Sequence, residues 1–217
     1  MKKKKILSID FDYFQKLCTE TLHIYPDGID LPTEVSNVVW ATKYMYEKDK
    51  LNKVTINKKE LSLLYGILGS QNKNIPVLIS NTHKDIYGFI HSLAKTDEEL
   101  LISHIDMHHD FYNGNDKVDC GNWLGFIKKE YYKCYIQWIT NELSLDVYGF
   151  TEKEKEKIPI TIEKLSIKDY DAVFLCRSDN WFPPHLDSEF IKLSKYLRNN
   201  FDNSEYTDEG LFRKREI

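Results

Sequence analysis

The sequence predicts a three-layer α/β/α domain built on a mainly parallel sheet. Two observations carry this reading. Short apolar runs with alternating or β-branched character recur along the 217 residues, and segments with apolar residues at helical spacing separate several of them. That order is expected of strands joined by helical crossovers. The composition is also ordinary for a globular chain: 41% hydrophobic residues are enough for a core, and 29% charged residues do not indicate disorder. Residues 1–217 are read as one domain, since domains usually run about 50 to 250 residues.

Lys5 to Phe14 alternates, with Ile6, Ser8, Asp10 and Asp12 on one face and Leu7, Ile9, Phe11 and Tyr13 on the other. Pro26-Asp27-Gly28 is a turn signal. Val35 to Tyr46 is apolar and aromatic but ambiguous in period. Asn57 to Leu68 reads as a helix because Leu61, Leu64 and Leu68 share a stripe, and Gly69-Ser70 ends it. Val77-Leu78-Ile79 reads as a strand that runs through Ser80-Asn81-Thr82 into His83. A helix with Ile86, Phe89, Ile90 and Leu93 follows. His83 therefore sits at a strand-to-helix junction, the carboxyl edge where open α/β sheets bind ligands.

Thr96 to Glu99 is read as a turn before the strand Leu101 to Ile105, which leads into Ser103-His104-Ile105-Asp106-Met107-His108-His109-Asp110. Cys120-Gly121-Asn122-Trp123-Leu124-Gly125 is a glycine-bounded loop, and Phe126 to Ile139 is rich in aromatic residues. Thr151 to Lys157 alternates Glu and Lys and reads as an exposed connection. Asp171 to Cys176 is a further strand, and Ser188 to Leu197 a helix with Phe190, Leu193 and Leu197 inward.

A net charge of −4 gives no reason to expect a nucleic-acid partner, and Lys2 to Lys5 reads as a solvated start to the first strand. No apolar run approaches the roughly 18 residues of a membrane span, and no signal-peptide core follows the lysines, so a cytoplasmic location is expected. Cys18, Cys120, Cys134 and Cys176 are widely spaced, which fits reduced thiols rather than a zinc knuckle or disulfide framework. There is no Gly-x-Gly-x-x-Gly, phosphate-binding Gly-Lys-Ser/Thr loop, His-Glu-x-x-His or Gly-x-Ser-x-Gly, which lowers nucleotide-binding and serine-hydrolase readings.

The chemistry concentrates in two alternating segments. In a strand, Asp106, His108 and Asp110 project from one face, as do Asp10 and Asp12, about 6–7 Å apart at Cα. With His83 this makes four acids and two imidazoles. Such a mixed oxygen and nitrogen set suits Mn²⁺, Zn²⁺ or Fe²⁺ better than Ca²⁺. Buried carboxylates need such partners, because an uncompensated charge in a core is very costly. The alternative readings are an exposed polar edge or loop at Asp106 to Asp110, or a helix in which His108 turns away. His109 points opposite to His108, and His104 lies one step deeper and reads as a satisfied core histidine. Trp123, Trp181 and Phe182 line a substrate pocket or pack structurally. Arg177 holds a substrate carboxylate, pairs with Asp179, or lies on the surface. Pro183-Pro184 stiffens that loop.

His83, Asp106-x-His108-x-Asp110 and Ser8-x-Asp10-x-Asp12 resemble the metal motifs of the arginase and agmatinase (ureohydrolase) superfamily. A closer resemblance is to the UPF0489 family. It is carried by Asp10-Phe11-Asp12-Tyr13-Phe14, Ser80-x-x-His83-Lys84, His104-x-Asp106-x-His108-His109-Asp110, Cys120-Gly121-Asn122-Trp123 and Arg177-Ser178-x-x-Trp181-x-Pro183-Pro184-His185-x-Asp187. It spans positions 6 to 190. The resemblance implies an arginase/deacetylase-like fold with two Mn²⁺ (alternatively Zn²⁺ or Fe²⁺) held by Asp10, Asp12, His83, Asp106, His108 and Asp110. Asp110 would also orient the attacking water, and Asn122 would lie beside the substrate. The UPF0489 family includes enzymes that convert arginine side chains of a ribosomal peptide to ornithine.

Two departures stand out. In arginases the Asp-x-Asp strand follows the Asp-x-His-x-Asp strand, whereas here it comes first, which implies a circularly permuted or rearranged sheet. The histidine that arginases place just after Gly-Asn falls at Leu124. His185 and His109 are then candidates to protonate the leaving amine, and Asp179, Asp187 and Glu189 are candidate guanidinium acids.

The leading expectation is a binuclear hydrolase of a guanidinium C–N bond, acting on a small guanidinium compound or an arginine-containing peptide. Asn122, Trp123, Arg177, Asp179 and Trp181 are its substrate-binding candidates. A zinc-dependent amide or acyl-lysine deacylase and a non-catalytic, metal-stabilised peptide-binding protein are the alternatives. No nucleic-acid or membrane partner is expected, and homo-oligomerisation stays open.

Overall fold

In β1 (Lys3–Asp10), Leu7 and Ile9 join one apolar cluster and Ile6 another, so both faces of the strand need a cover of helices. The computed structural model describes residues 2–26, 31–112 and 116–216, and so Asp27-Gly28 of the expected turn lies outside the described residues. After β1 come β2 (Gln15–Lys16), α1 (Thr19–Leu22), α2 (Thr33–Leu51), β3 (Thr55–Ile56), α3 (Lys58–Gly69), β4 (Pro76–Ser80) and α4 (Asp85–Leu93). The chain continues with β5 (Glu99–Ile105), α5 (Trp123–Glu130), β6 (Lys133–Ile139), α6 (Glu142–Val147), α7 (Glu152–Lys155), β7 (Ala172–Cys176), α8 (Asp187–Asn200) and β8 (Asn203–Tyr206).

Six strands form one sheet in the order β6-β5-β1-β7-β4-β8, and every pairing in it is parallel. β2 and β3 make a separate antiparallel pair. Trp40 of α2, Leu61, Leu64 and Leu68 of α3, and Phe190, Leu193 and Leu197 of α8 cover one face through Leu7, Ile9, Val77 and Leu175. Ile86 and Ile90 of α4 and Trp123, Leu124 and Ile127 of α5 cover the other through Ile6, Leu100, Ile102 and Phe174. The result is the three-layer α/β/α arrangement, with strands buried on both faces as a parallel sheet requires.

From β1 the chain crosses toward β4, on one side; from its neighbour β5 it moves to β6, on the other. Connections leaving in opposite directions open a crevice at the carboxyl ends of β1 and β5. His83 follows β4, whose carboxyl end is held in register with that of β7 through Ser80 and Cys176.

Three segments differ from their sequence reading or resolve it. Val35 to Tyr46 lies within α2, which buries Ser36, Trp40 and Leu51 and breaks helical geometry at Glu47 (φ −127°, ψ 22°). Phe126 to Ile139 divides into the end of α5 and the edge strand β6. The exposed connection around Thr151 contains a helical turn, α7, started by a capping box between Thr151 and Glu154.

Candidate metal centre

The two alternating segments are not strands throughout. β1 ends at Asp10, whose carboxylate accepts the Asp12 N–H (3.3 Å) and starts a 3-10 turn over Phe11–Phe14. β5 ends at Ile105, although the Asp106 N–H still donates to Ile139 O of β6 (3.0 Å). Beyond it the chain turns: the His108 N–H donates to Asp106 Oδ1 (2.6 Å), and Asp110 adopts a left-handed backbone with φ 52°. Aspartate tolerates that region better than most residues. Chain reversal, rather than strand alternation, therefore makes these side chains converge.

Around Asp106 the ligand atoms fall into two groups that share its carboxylate. His83 Nδ1 lies 3.0 Å from Asp10 Oδ2, 3.0 Å from Asp106 Oδ2 and 3.4 Å from Asp110 Oδ2. His108 Nδ1 lies 3.0 Å from Asp12 Oδ2 and 3.5 Å from Asp106 Oδ1. One oxygen of Asp106 thus faces each histidine. Among the described residues, His83, His104, Asp106 and Asp110 present ligand atoms within 4.8 Å of one another, as do Asp12, Asp106 and His108. This buried His/Asp cluster is capable of chelating two metal ions.

The surroundings set the histidines for that role. Ser8 Oγ lies 2.8 Å from His83 Nε2; an Nε2–H donated to it leaves the Nδ1 lone pair facing the acids. The Trp123 indole N–H donates to Asp110 Oδ2 (2.5 Å), and the Met107 N–H to Asp12 Oδ1 (3.3 Å). Trp181 stacks obliquely on the His108 ring, centroids 4.7 Å apart.

Three of the four carboxyls are pushed toward holding their protons. Burial, then the charges of Asp10 and Asp106, pushes Asp12 up to about 8. Burial and the Asp106 charge raise Asp10 and Asp110 as well. Burial works against ionised Asp106 too, but the imidazoles of His104, His108 and His83 outweigh it and hold this carboxyl low. Burial opposes charged His83 and His108, yet their acid neighbours raise both. Four carboxylates packed this closely cannot all ionise unless cations join them.

Donor chemistry fits divalent cations. Asp12 Oδ2 and Asp106 Oδ2 are buried without a hydrogen-bond partner, although the histidine nitrogens lie 3.0 Å away. Buried polar atoms nearly always find partners, so orphaned carboxylate oxygens aimed into one cluster fit a bound cation.

The sequence reading of His104 as a satisfied core histidine needs correction. Its Nε2 lies 3.1 Å from His108 O and 3.4 Å from Asp106 Oδ2, while its Nδ1 has no partner. Burial pulls it down to about 3, leaving it neutral. The signal was available: His104 is two residues before Asp106 on the same strand face.

Other candidates sit elsewhere or have other work. His109 is half-buried between the rings of Tyr112 and Tyr148, with centroids at 4.5 and 4.6 Å, and its Nδ1 accepts the Phe111 N–H (2.9 Å). His185 has both nitrogens engaged, Nδ1 by the Tyr44 hydroxyl and Nε2 by Val54 O. Asn122 closes its own loop, accepting the Asp119 N–H (2.8 Å) and donating to Lys117 O (3.0 Å). Leu124, at the position of the arginase histidine, is packed in the core under α5. Phe182 is core as well, edge-on to Phe11 at 5.0 Å.

Arg177 and Asp179 are buried against each other in a two-pronged pair, and Asp179 also accepts the Thr33 hydroxyl (2.6 Å). Asp187 is held by Arg215 (2.7 Å), and Glu189 pairs with Lys192 (2.8 Å). The candidate guanidinium acids thus already carry this chain's own cations. The sequence reading missed Arg215 entirely, because nothing in its local pattern marks a partner 28 residues away.

Searches against protein-family models, curated proteins and solved structures return no match. Among the described residues no helix is long and apolar enough to cross a membrane.

Proposed function

We propose that this protein is a binuclear metal-dependent hydrolase of the C–N bond of a guanidinium group, with free or peptidyl arginine as substrate and urea as product. The observation that carries the reading is the Asp106 carboxylate, which turns one oxygen to His83 and the other to His108. His83, Asp106 and Asp110, with His104 and with Asp10 beside His83, would supply the ligands of one ion; His108, Asp12 and Asp106 would hold the other. Two Mn²⁺ are favoured over Zn²⁺ or Fe²⁺ by the resemblance to ureohydrolases, and the same resemblance implies a circularly permuted strand order with β1 supplying Asp10 and Asp12.

Bound there, such ions lower the pKa of water and stabilise the negative charge that develops during attack. The chain's own residues do the rest. Trp123 fixes Asp110 so that its carboxylate orients the attacking water, and Ser8 fixes the His83 tautomer. Neither proton-donor candidate is set for the role as it stands: His185 has both nitrogens engaged, and His109, with Nδ1 accepting from Phe111, is a neutral imidazole with its one proton on Nε2.

The test is urea release by metal-loaded protein from arginine, agmatine and arginine-containing peptides. Urea from one of them supports the reading. Two bound ions with no urea from any substrate would overturn the guanidinium assignment. Acetate released from acyl-lysine peptides would replace it with the deacylase alternative.

A further inference from the structure

We infer that Arg215 is a positioning residue for the metal centre, clamping the loop that lays Trp181 on His108. The inference rests on the metal-centre reading above and adds a residue outside every motif that carries it. Arg215 is 8% exposed and makes its contacts on the loop after β7 and the start of α8. Nη1 donates to Asp179 O (2.7 Å) and Nη2 to Phe182 O (2.5 Å), so one guanidinium brackets Asn180 and Trp181 from both sides. Its Nε and Nη2 bond the Asp187 carboxylate, and its own N–H donates to Asp187 Oδ2 (2.7 Å).

Other elements hold the loop as well. Gln15 Nε2 donates both to Trp181 O (2.7 Å) and to the carbonyl of the ligand residue Asp12 (3.1 Å). Ser36 and Trp40 add donors to Asp179 O. This bonding is dense for a loop, and it fixes a strained backbone, since Ser178 has φ 58°. The side chain it presents is Trp181, whose ring meets that of His108 at a 57° tilt, centroids 4.7 Å apart. Only a planar fork reaches two carbonyls and a carboxylate together; a lysine ammonium keeps the charge beside Asp187 without that span.

Arg215→Lys therefore tests the clamp, read by acrylamide quenching of the Trp181 emission (assigned by subtracting Trp181→Phe) and by calorimetric Mn²⁺ titration. The expected result is a folded protein in which Trp181 quenching rises about threefold. Mn²⁺ affinity at the His108 group should fall about tenfold, the usual lower bound for losing support around a ligand, while the His83 group changes little. Unchanged quenching and affinity in a folded variant would overturn the proposal. If Arg215→Lys does not fold, the pair Arg215→Met with Asp187→Leu removes both buried charges and is read the same way. Failure of the wild type to bind Mn²⁺ would sink the metal reading alone, since acrylamide quenching still decides the clamp.

Discussion

Among the described residues, the acids around Asp106 and those around Asp179 and Asp187 meet the same electrostatic problem in opposite ways. Asp179 and Asp187 are 4% and 0% exposed, and each is met by a guanidinium, Arg177 and Arg215. Asp10, Asp12, Asp106 and Asp110 are as deeply buried, but their neighbours are histidines, and oxygens of Asp12 and Asp106 stay unbonded. A buried carboxylate beside a fixed guanidinium is part of the scaffold; one beside neutralisable imidazoles is a vessel for cations. Burial of acids does not by itself mark a site. What marks it is burial without a resident cation.

The two clusters should therefore respond with opposite sign to loss of charge. Arg215→Ala strands Asp187 in the core and should cost about 3–5 kcal/mol. For a domain of this size that is a fall in Tm of roughly 6–20 °C by circular dichroism. Asp10→Asn, by contrast, relieves crowding among acids and should leave the metal-free Tm level or higher. A large drop in both would erase the distinction.

Next in size is the response to cations. Mn²⁺ at about a hundred times its Kd should stabilise the wild type by roughly 2.7 kcal/mol per site, and Asp10→Asn far less. Scanning fluorimetry with and without a chelator reads this directly. Equal shifts in the two proteins would place the cations elsewhere.

Trp123→Phe removes the N–H donated to Asp110 and trims a fully buried ring. Metal affinity should drop about 10- to 100-fold by titration calorimetry, while the cavity lowers metal-free stability by about 1–3 kcal/mol. An affinity matching the wild type would show that Asp110 needs no such support.

The smallest effect belongs to pH and to the guanidinium-paired cluster. Burial works against ionised Asp179, but Arg215 and Arg177 outweigh it and hold its pKa below the usual 3.8. The unfolded chain then takes up this proton first as pH falls. The stabilisation is therefore complete above the ordinary carboxylate range and is lost as pH drops through the lower, folded value. In urea melts between pH 5 and 2, Asp179→Asn should show a flatter acid limb than the wild type. Superimposable limbs would deny the linkage.

Much of this was legible in the sequence because it is written in local patterns. The stripe Leu61, Leu64, Leu68 and the run Val77-Leu78-Ile79 gave α3 and β4, and the stripe Phe190, Leu193, Leu197 gave α8. The strand-to-helix position of His83 anticipated its place at the sheet edge. Less local features escaped. Asn203–Tyr206 is a polar edge strand with no apolar alternation to announce it. The convergence of Asp106, His108 and Asp110 comes from a turn with a left-handed Asp110, which a period-two reading mistakes for a strand. For Arg177 the sequence left a substrate carboxylate, Asp179 and the surface open, and the fold selects Asp179.

Sharing of Asp106 between two metal sites is read by counting ions. Elemental analysis after Mn²⁺ loading and desalting should find two equivalents in the wild type. Asp12→Asn, touching only the His108 group, should retain about one, and Asp106→Asn should retain none. A single ion in the wild type, or two in Asp106→Asn, would mean that Asp106 is not shared.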